Sequence, residues 1–406
     1  MRMGFVDRAW LRMDDRTNPM VITGLLLFAG GLPVEALRAV LRERLTHPRF
    51  RSVARAAGPL GAWSTWDLVP AFDPATRVVE VALGPDEDAL RALVSGWMGV
   101  PLEPAAPRWR VVHVDRGAAG AAVVVQVHHA VGDGVTLVRT LLDVAGGGAA
   151  RPVAGVEAPR PTSLRAHAAR AWGDLRALVR LLALPHEPGT SLRPPLSGRK
   201  RLAWTAPLSV EALQRRAHEG GVTLTDVVVG AFAGALADEH LRVTGAPLSS
   251  ARALVPVFRH GGDAASVNRF GLVFLTLPLG GSAQARVRSV HEELRALRAA
   301  PDTEVALGVL GALGLSPRPV ERVGVALFTG KASVLITSVP GPRDRLTLGG
   351  REVTGVIVSA PVAGTVGMSA SILSVGPEVR VSVATDAALP HDPGRLVRAI
   401  EDAVRA

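Results

Sequence analysis

Seven consecutive residues, His128-His129-Ala130-Val131-Gly132-Asp133-Gly134, carry the strongest chemical signal in the chain. They follow the apolar run Ala121–Val127, so a strand delivers two imidazoles into a Gly-Asp-Gly turn. Imidazole titrates near neutral pH and suits taking and returning a proton there. Successive strand residues point to opposite faces, so His128 and His129 cannot both address one reacting atom. One is expected to face the ligand space and the other the protein. The same alternation argues against a two-histidine metal site, as does the lack of a nearby carboxylate other than Asp133, and no metal is expected. Asp133 stands just before a helix, where a carboxylate caps free N–H groups, and it can also pair with an arginine. Gly132 and Gly134 are expected to supply the turn's backbone angles and room for a substrate. A histidine pair alone is more often two satisfied core residues; the Asp-Gly and the helix behind it turn the reading toward proton transfer.

The elements that must hold this turn read as two mixed halves. The first has a strand at Val21–Phe28, a helix at Val34–Glu43, a strand at Val78–Ala82 and a helix at Asp86–Trp97. A hairpin then pairs Arg110–Val114 with Ala121–Val127, and a helix from Val135 to Val144 closes the half. Residues 145–163, rich in Gly, Ala and Pro, read as a linker. Ser163–Leu184 reads as a helix with Leu164, Ala168, Trp172, Leu175, Leu178 and Leu182 on one side and arginines elsewhere. From Leu202 the second half offers helices at Thr223–His240 and Arg286–Arg298. Its strands fall near Ala253–Val257, Leu272–Leu277, Val334–Thr337, Val353–Val358, Ser369–Val375 and Val379–Thr385, before a terminal helix Asp392–Arg405. The expected class is α/β, an α+β sandwich divided into 1–160, a linking segment 161–200 and 201–406.

Composition narrows the chemistry. Cysteine is absent from the 406 residues, which removes disulfides, thiolate metal sites and cysteine nucleophiles. No Gly-x-Ser-x-Gly elbow occurs; Gly367-Met368-Ser369-Ala370-Ser371 fails at its last position. Gly330-Lys331 resembles a phosphate loop only superficially, since Ala332 lacks the required hydroxyl. The net charge of +10 is spread over scattered arginines, with no tyrosine and only 4% aromatics, so nucleic acid is not an expected partner. A polyanion such as coenzyme A or an anionic membrane surface fits better.

The pattern His-His-x-x-x-Asp-Gly at 128–134 is similar to that of the CoA-dependent acyltransferase superfamily, which includes the condensation domains of peptide synthetases. Further segments resemble the bacterial wax ester synthase/diacylglycerol acyltransferase family. They are Phe5-Val6-Asp7-Arg8-Ala9-Trp10 with Pro19-Met20, Pro107-Arg108-Trp109, and Arg252-Ala253-Leu254-Val255-Pro256-Val257 followed by Asn268-Arg269-Phe270-Gly271-Leu272. Thr337-Ser338-Val339-Pro340-Gly341-Pro342 completes the series. The resemblance implies two chloramphenicol-acetyltransferase-like lobes with an active-site channel between them. It implies transfer of a long-chain acyl group from acyl-CoA to diacylglycerol or a fatty alcohol, with acyl-CoA a substrate and no cofactor. His129 becomes the general base, supported by His128, Asp133 and Gly134. Trp109, Thr225, Asp226, Asn268, Arg269 and Ser338 become candidate substrate-binding residues, although Asp226 suits a helix cap or brace better than chemistry. Arg252 and Arg259 are candidate partners for Asp133. A cytoplasmic protein is expected, with peripheral contact to a lipid-droplet surface or the inner face of the membrane through the 163–184 helix; a crossing helix packed on the lobes is the bland alternative.

Three departures from the family pattern bear on the acceptor. Thr225 replaces the asparagine of an Asn-Asp pair, Ser338 replaces an asparagine, and Val375 replaces a tyrosine. They keep a second reading open, a related acyltransferase or condensation-type enzyme for a secondary-metabolite alcohol or amine. A silent lipid-binding protein is the third reading, disfavoured by the intact His129 and Asp133.

Overall fold

The computed structural model describes residues 1–55, 64–133, 136–137, 140, 144–145, 163–258, 270–300 and 302–405. Its main strands are β1 (Val21–Phe28), β2 (Val78–Ala82), β3 (Trp109–Asp115), β4 (Ala121–His128), β5 (Lys200–Trp204) and β6 (Ser250–Phe258). They continue with β7 (Phe270–Pro278), β8 (Val334–Pro340), β9 (Gly355–Ser359), β10 (Met368–Val375) and β11 (Glu378–Asp386). The helices are α1 (Phe5–Arg12), α2 (Val34–Arg44), α3 (Glu87–Met98), α4 (Leu164–Ala183) and α5 (Val210–Glu219). After them come α6 (Leu224–Thr244), α7 (Ala283–Ala299), α8 (Asp302–Leu315), α9 (Arg318–Thr329) and α10 (Pro393–Arg405).

Two sheets organise these elements. The first has five strands in the order β9-β1-β4-β3-β2. The second runs β7-β6-β8-β10-β11-β5, with the short strand Leu208–Ser209 added beside β11. The strand β4, Ala-Ala-Val-Val-Val-Gln-Val-His, is almost wholly buried because both faces are covered. Val123 and Val127 enter a core with Leu37, Leu41, Phe50 and Trp109, whereas Ala122 and Val124 enter another with Leu90, Val94 and Val112. The third core is built on α6, whose Val228, Phe232 and Leu236 pack on the second sheet and on α7 and α10. Two lobes are therefore present, but β9 leaves the C-terminal part of the chain and pairs antiparallel with β1, Thr23 opposite Ser359. The lobes share a sheet edge instead of meeting only at a linker.

The structure adds helices that periodicity did not disclose. The helix α8, Asp-Thr-Glu-Val-Ala-Leu-Gly-Val-Leu-Gly-Ala-Leu-Gly-Leu, is apolar on all sides and carries glycines at 308, 311 and 314, so it shows no amphipathic stripe. In α9, Pro319 within the first turn resembles a breaker, yet proline is tolerated there because that N–H has no helical partner. The linker expected at 145–163 and most of the 135–144 helix lie outside the described residues; Thr136, Leu137, Thr140, Val144 and Ala145 are helical. The helix expected at Ser163–Leu184 is α4, with Trp172, Leu175 and Leu182 exposed and Leu178 half-buried. Among the described residues no single helix is long and apolar enough to cross a membrane.

Candidate active site

The turn after β4 is fixed by the chain that precedes β1. Antiparallel pairing sets Val21 opposite His128, and one step further the His129 N–H donates to Met20 O at 2.7 Å. The two imidazoles then diverge. The His128 ring is fully buried; its Nδ1 accepts from the Ala130 N–H at 3.1 Å, which leaves the proton on Nε2, 3.7 Å from Asp14 Oδ2. Burial holds the His128 pKa below its usual value and the opposing pull of Asp14 does not restore it, so the ring stays neutral. The Asp14 carboxyl is held below its usual range: burial works against ionisation, but His128, the Met20 N–H and Arg108 outweigh it. Met20 N donates to Asp14 Oδ1 at 3.0 Å, so one carboxylate braces both the buried imidazole and the segment that grips His129.

His129 lies instead on the wall of a cavity of about 620 Å³ between the sheets. Its ring stacks on Trp10 of α1, centroids 4.2 Å apart and planes 20° from parallel, and Phe270 of β7 tilts against it at 5.4 Å. Asp133 borders the same cavity. Its Oδ1 accepts from the Thr136 N–H and hydroxyl, both at 2.8 Å, and so caps the helical segment that follows. Gly132 corrects the expectation of special backbone angles. It has no positive φ, and what it permits is the close approach of Thr136, whose methyl would meet an added Cβ at 2.9 Å. Gly134, Arg259, Asn268 and Arg269 lie outside the described residues.

The second lobe supplies the opposite wall. Thr225, in the first turn of α6, and Ser338, on β8, both line the cavity, and their hydroxyl oxygens are 3.1 Å apart. Asp226 is buried in a capping box: its Oδ2 accepts the Thr223 N–H at 2.8 Å while its own N–H donates to Thr223 Oγ1. The same oxygen lies 2.7 Å from His291 Nδ1 of α7, so Asp226 fastens two helices behind the wall. Between these polar groups and His129 the lining is mainly apolar, including Leu254, Val257, Leu310 and Phe328.

Trp109 and Arg252 fall elsewhere. Trp109 is buried, donates from Nε1 to Phe50 O at 2.7 Å and borders a separate apolar cavity of about 130 Å³. That cavity abuts the larger one, since Ile22, Val339 and Val358 line both. Arg252 is not the partner of Asp133: its Nη1 donates to Pro185 O and Lys331 O, and Glu187 is its nearest carboxylate. Lys331 is engaged within the protein: its Nζ donates to Leu181 O and Leu182 O at the end of α4. Trp10 and Asp14 are the residues that motif reading passed over. Trp10 stood inside a quoted segment without a role, and Asp14 is distant in sequence from the turn it supports.

Two lobes facing a histidine-walled cavity define the architecture of a CoA-dependent acyltransferase. The structure of the wax ester synthase/diacylglycerol acyltransferase from Marinobacter aquaeolei VT8 is similar to this one, with a TM-score of 0.70 at 20% identity over 100% of this chain and 98% of the other. The first condensation domain of the CDA synthetase is also similar, with a TM-score of 0.61 at 17% identity over 100% of this chain and 94% of that domain. The wax ester synthase/diacylglycerol acyltransferase catalytic domain matches residues 3–145, and the C-terminal domain of the same family matches residues 267–406. The chain belongs to the wax ester synthase/diacylglycerol acyltransferase family and is an acyltransferase. The probable diacylglycerol O-acyltransferase tgs1 of Mycobacterium tuberculosis is 26% identical over 98% of this chain and 94% of its own length. A putative diacylglycerol O-acyltransferase of Mycobacterium bovis is 28% identical over 80% of this chain and 73% of its own.

Proposed function

We propose that this enzyme moves a long-chain acyl group from acyl-CoA to the hydroxyl of diacylglycerol or a fatty alcohol, with His129 as general base. The observation that carries the reading is His129 itself, on the wall of a largely apolar cavity and held at the backbone by Met20 and at the ring by Trp10. The imidazole accepts the acceptor's hydroxyl proton as its oxygen attacks the thioester carbonyl carbon. The C–S bond then breaks, and the imidazolium returns the proton to the leaving thiolate, giving ester and free CoA thiol. No acyl-enzyme is needed. His128 and Asp133 hold the turn, and the smaller apolar cavity behind Val339 gives an alkyl chain room to extend. A cytoplasmic location, where acyl-CoA is available, is part of this reading.

The Thr225–Ser338 hydroxyl pair favours one alternative, a related acyltransferase or condensation-type enzyme acting on a secondary-metabolite alcohol or amine. Purified protein given palmitoyl-CoA and a mixture of hexadecanol, diacylglycerol and hexadecylamine separates the two. Wax ester or triacylglycerol with matching CoA release supports the first reading; amide as the main product supports the second.

A further inference from the structure

The larger cavity has a polar, exposed rim on the second lobe. Among its described lining residues, the exposed ones are Gln214 of α5, Thr223 at the N-cap of α6, Arg298 in the last turn of α7 and Ser338 of β8. Two contacts gather these elements around one opening. His291 to Asp226 fastens α7 to the start of α6, and Thr225 to Ser338 fastens the start of α6 to β8. Arg298 stands two turns beyond His291 on the same helix face, with Leu294 between them also lining the cavity. Behind the rim the wall is apolar, with Val229, Leu275 and Leu294 buried.

The rim is also where the cavity carries its cation. Apart from His129, the charged side chains among the described lining residues are Asp133 and Arg298. Asp133 is buried and accepts from Thr136, whereas Arg298 is exposed and makes no hydrogen bond or ion pair with a described residue. Arg295, one turn earlier on α7, is exposed as well. A guanidinium presents paired N–H donors that match phosphate oxygens.

We propose that this rim admits the acyl donor and that Arg298 binds the phosphates of its CoA moiety; the assignment rests on the functional reading above. Acyl-CoA is divided as the cavity is, into an alkyl chain for the apolar interior and a polyanionic nucleotide that stays in water. Diacylglycerol and fatty alcohols bring no charge for Arg298 to meet, so the rim suits the donor and not the acceptor. Gln214 and the Thr225–Ser338 hydroxyls offer hydrogen bonds to the amides of the pantetheine arm, between nucleotide and thioester. A contact to the phosphates is the same before and during acyl transfer, so its loss belongs in KM and not in kcat.

Steady-state kinetics with palmitoyl-CoA and with palmitoyl-pantetheine, the same thioester without nucleotide or phosphates, tests the assignment. Arg298→Gln should raise KM for palmitoyl-CoA by about tenfold or more relative to any change with palmitoyl-pantetheine. Arg298→Lys should restore part of the loss. Arg288→Gln, which removes an equal charge about 15 Å back along α7, should keep the wild-type KM. Calorimetric titration with free CoA should show the same weakening in Arg298→Gln, at an unchanged melting temperature. Equal KM changes for the two thioesters, an unaltered KM for palmitoyl-CoA, or a KM rise confined to the acceptor would each overturn the assignment. Arg298-dependent CoA binding by a wild type that transfers palmitoyl to no acceptor would overturn the functional reading and leave the phosphate site standing.

Discussion

The imidazole of His129 is held from two directions, by a backbone bond from its N–H to Met20 O and by a stacked indole. His129→Ala should lower kcat of the folded protein by about 10²–10⁴-fold, with a modest drop in melting temperature because the ring packs on Trp10 and Phe270 on one side and faces the cavity on the other. Trp10→Leu removes the aromatic face against which the His129 ring is held. Its expected signature is a kcat loss of about tenfold with KM nearly unchanged, the result of a misplaced base. A merely structural role for Trp10 would lower the melting temperature and leave kcat of the folded fraction in place. Asp14→Asn retains shape but weakens the hold on His128 and on the Met20 segment, so kcat should fall together with stability. His391 shows a titration of another kind, in the loop before α10. Its ring is buried and lies parallel to that of His240 with centroids 5.8 Å apart, and its pKa is pushed down to about 4 by burial and then by His240, Arg242 and Arg201, with Glu239 opposing. The unfolded chain binds a proton on His391 from pH ~6.5 downward and the folded chain does not, so stability should fall as pH drops from ~6.5 toward 4. Thermal melts across that window should show a shallower slope for His391→Gln.

Among the elements, legibility in the sequence followed periodicity. The β1 strand and the β3–β4 hairpin stood out because apolar runs end at turn residues, whereas α7 was read only from Arg286 onward, without its first turn and its Ser282 cap. The helix α8 did not stand out, since helical glycines erase both stripe and propensity, yet one of them, Gly314, has a purpose in packing, as does Gly324 on α9. At Gly314 a Cβ would overlap Phe5 O, and at Gly324 on α9 it would overlap the Leu313 side chain. The close contact of α8 with α1 sets where Trp10 stands. Gly314→Ala should therefore displace α1, cost about 1–3 kcal/mol of stability and reduce kcat beyond that loss, as thermal melts and steady-state kinetics on the folded fraction would show. Of the site, the histidine turn and the Thr225 and Ser338 positions were readable from motifs. The Asp14 brace was not, because nothing local to a carboxylate after α1 says which strand end will fold onto it.

At the scale of the whole molecule the lobes are interlocked. The strand β9 crosses into the first sheet, and Lys200 joins Thr17 O and Asn18 Oδ1 of the first lobe to Asp386 of the second. Calorimetry should accordingly show one cooperative unfolding transition; two separated transitions would contradict the interlock. A cavity enclosed by both lobes, with the imidazole on one wall and hydroxyls on the other, requires that coupling to keep its geometry. The most direct measurement is CoA release and ester formation from palmitoyl-CoA with diacylglycerol and hexadecanol, by wild type and by folded His129→Ala side by side. The expected result is stoichiometric ester and CoA from wild type and at least a ~10²-fold slower reaction from the variant. Equal rates from the two proteins would contradict His129 as the base, and no ester from wild type would contradict the reaction itself.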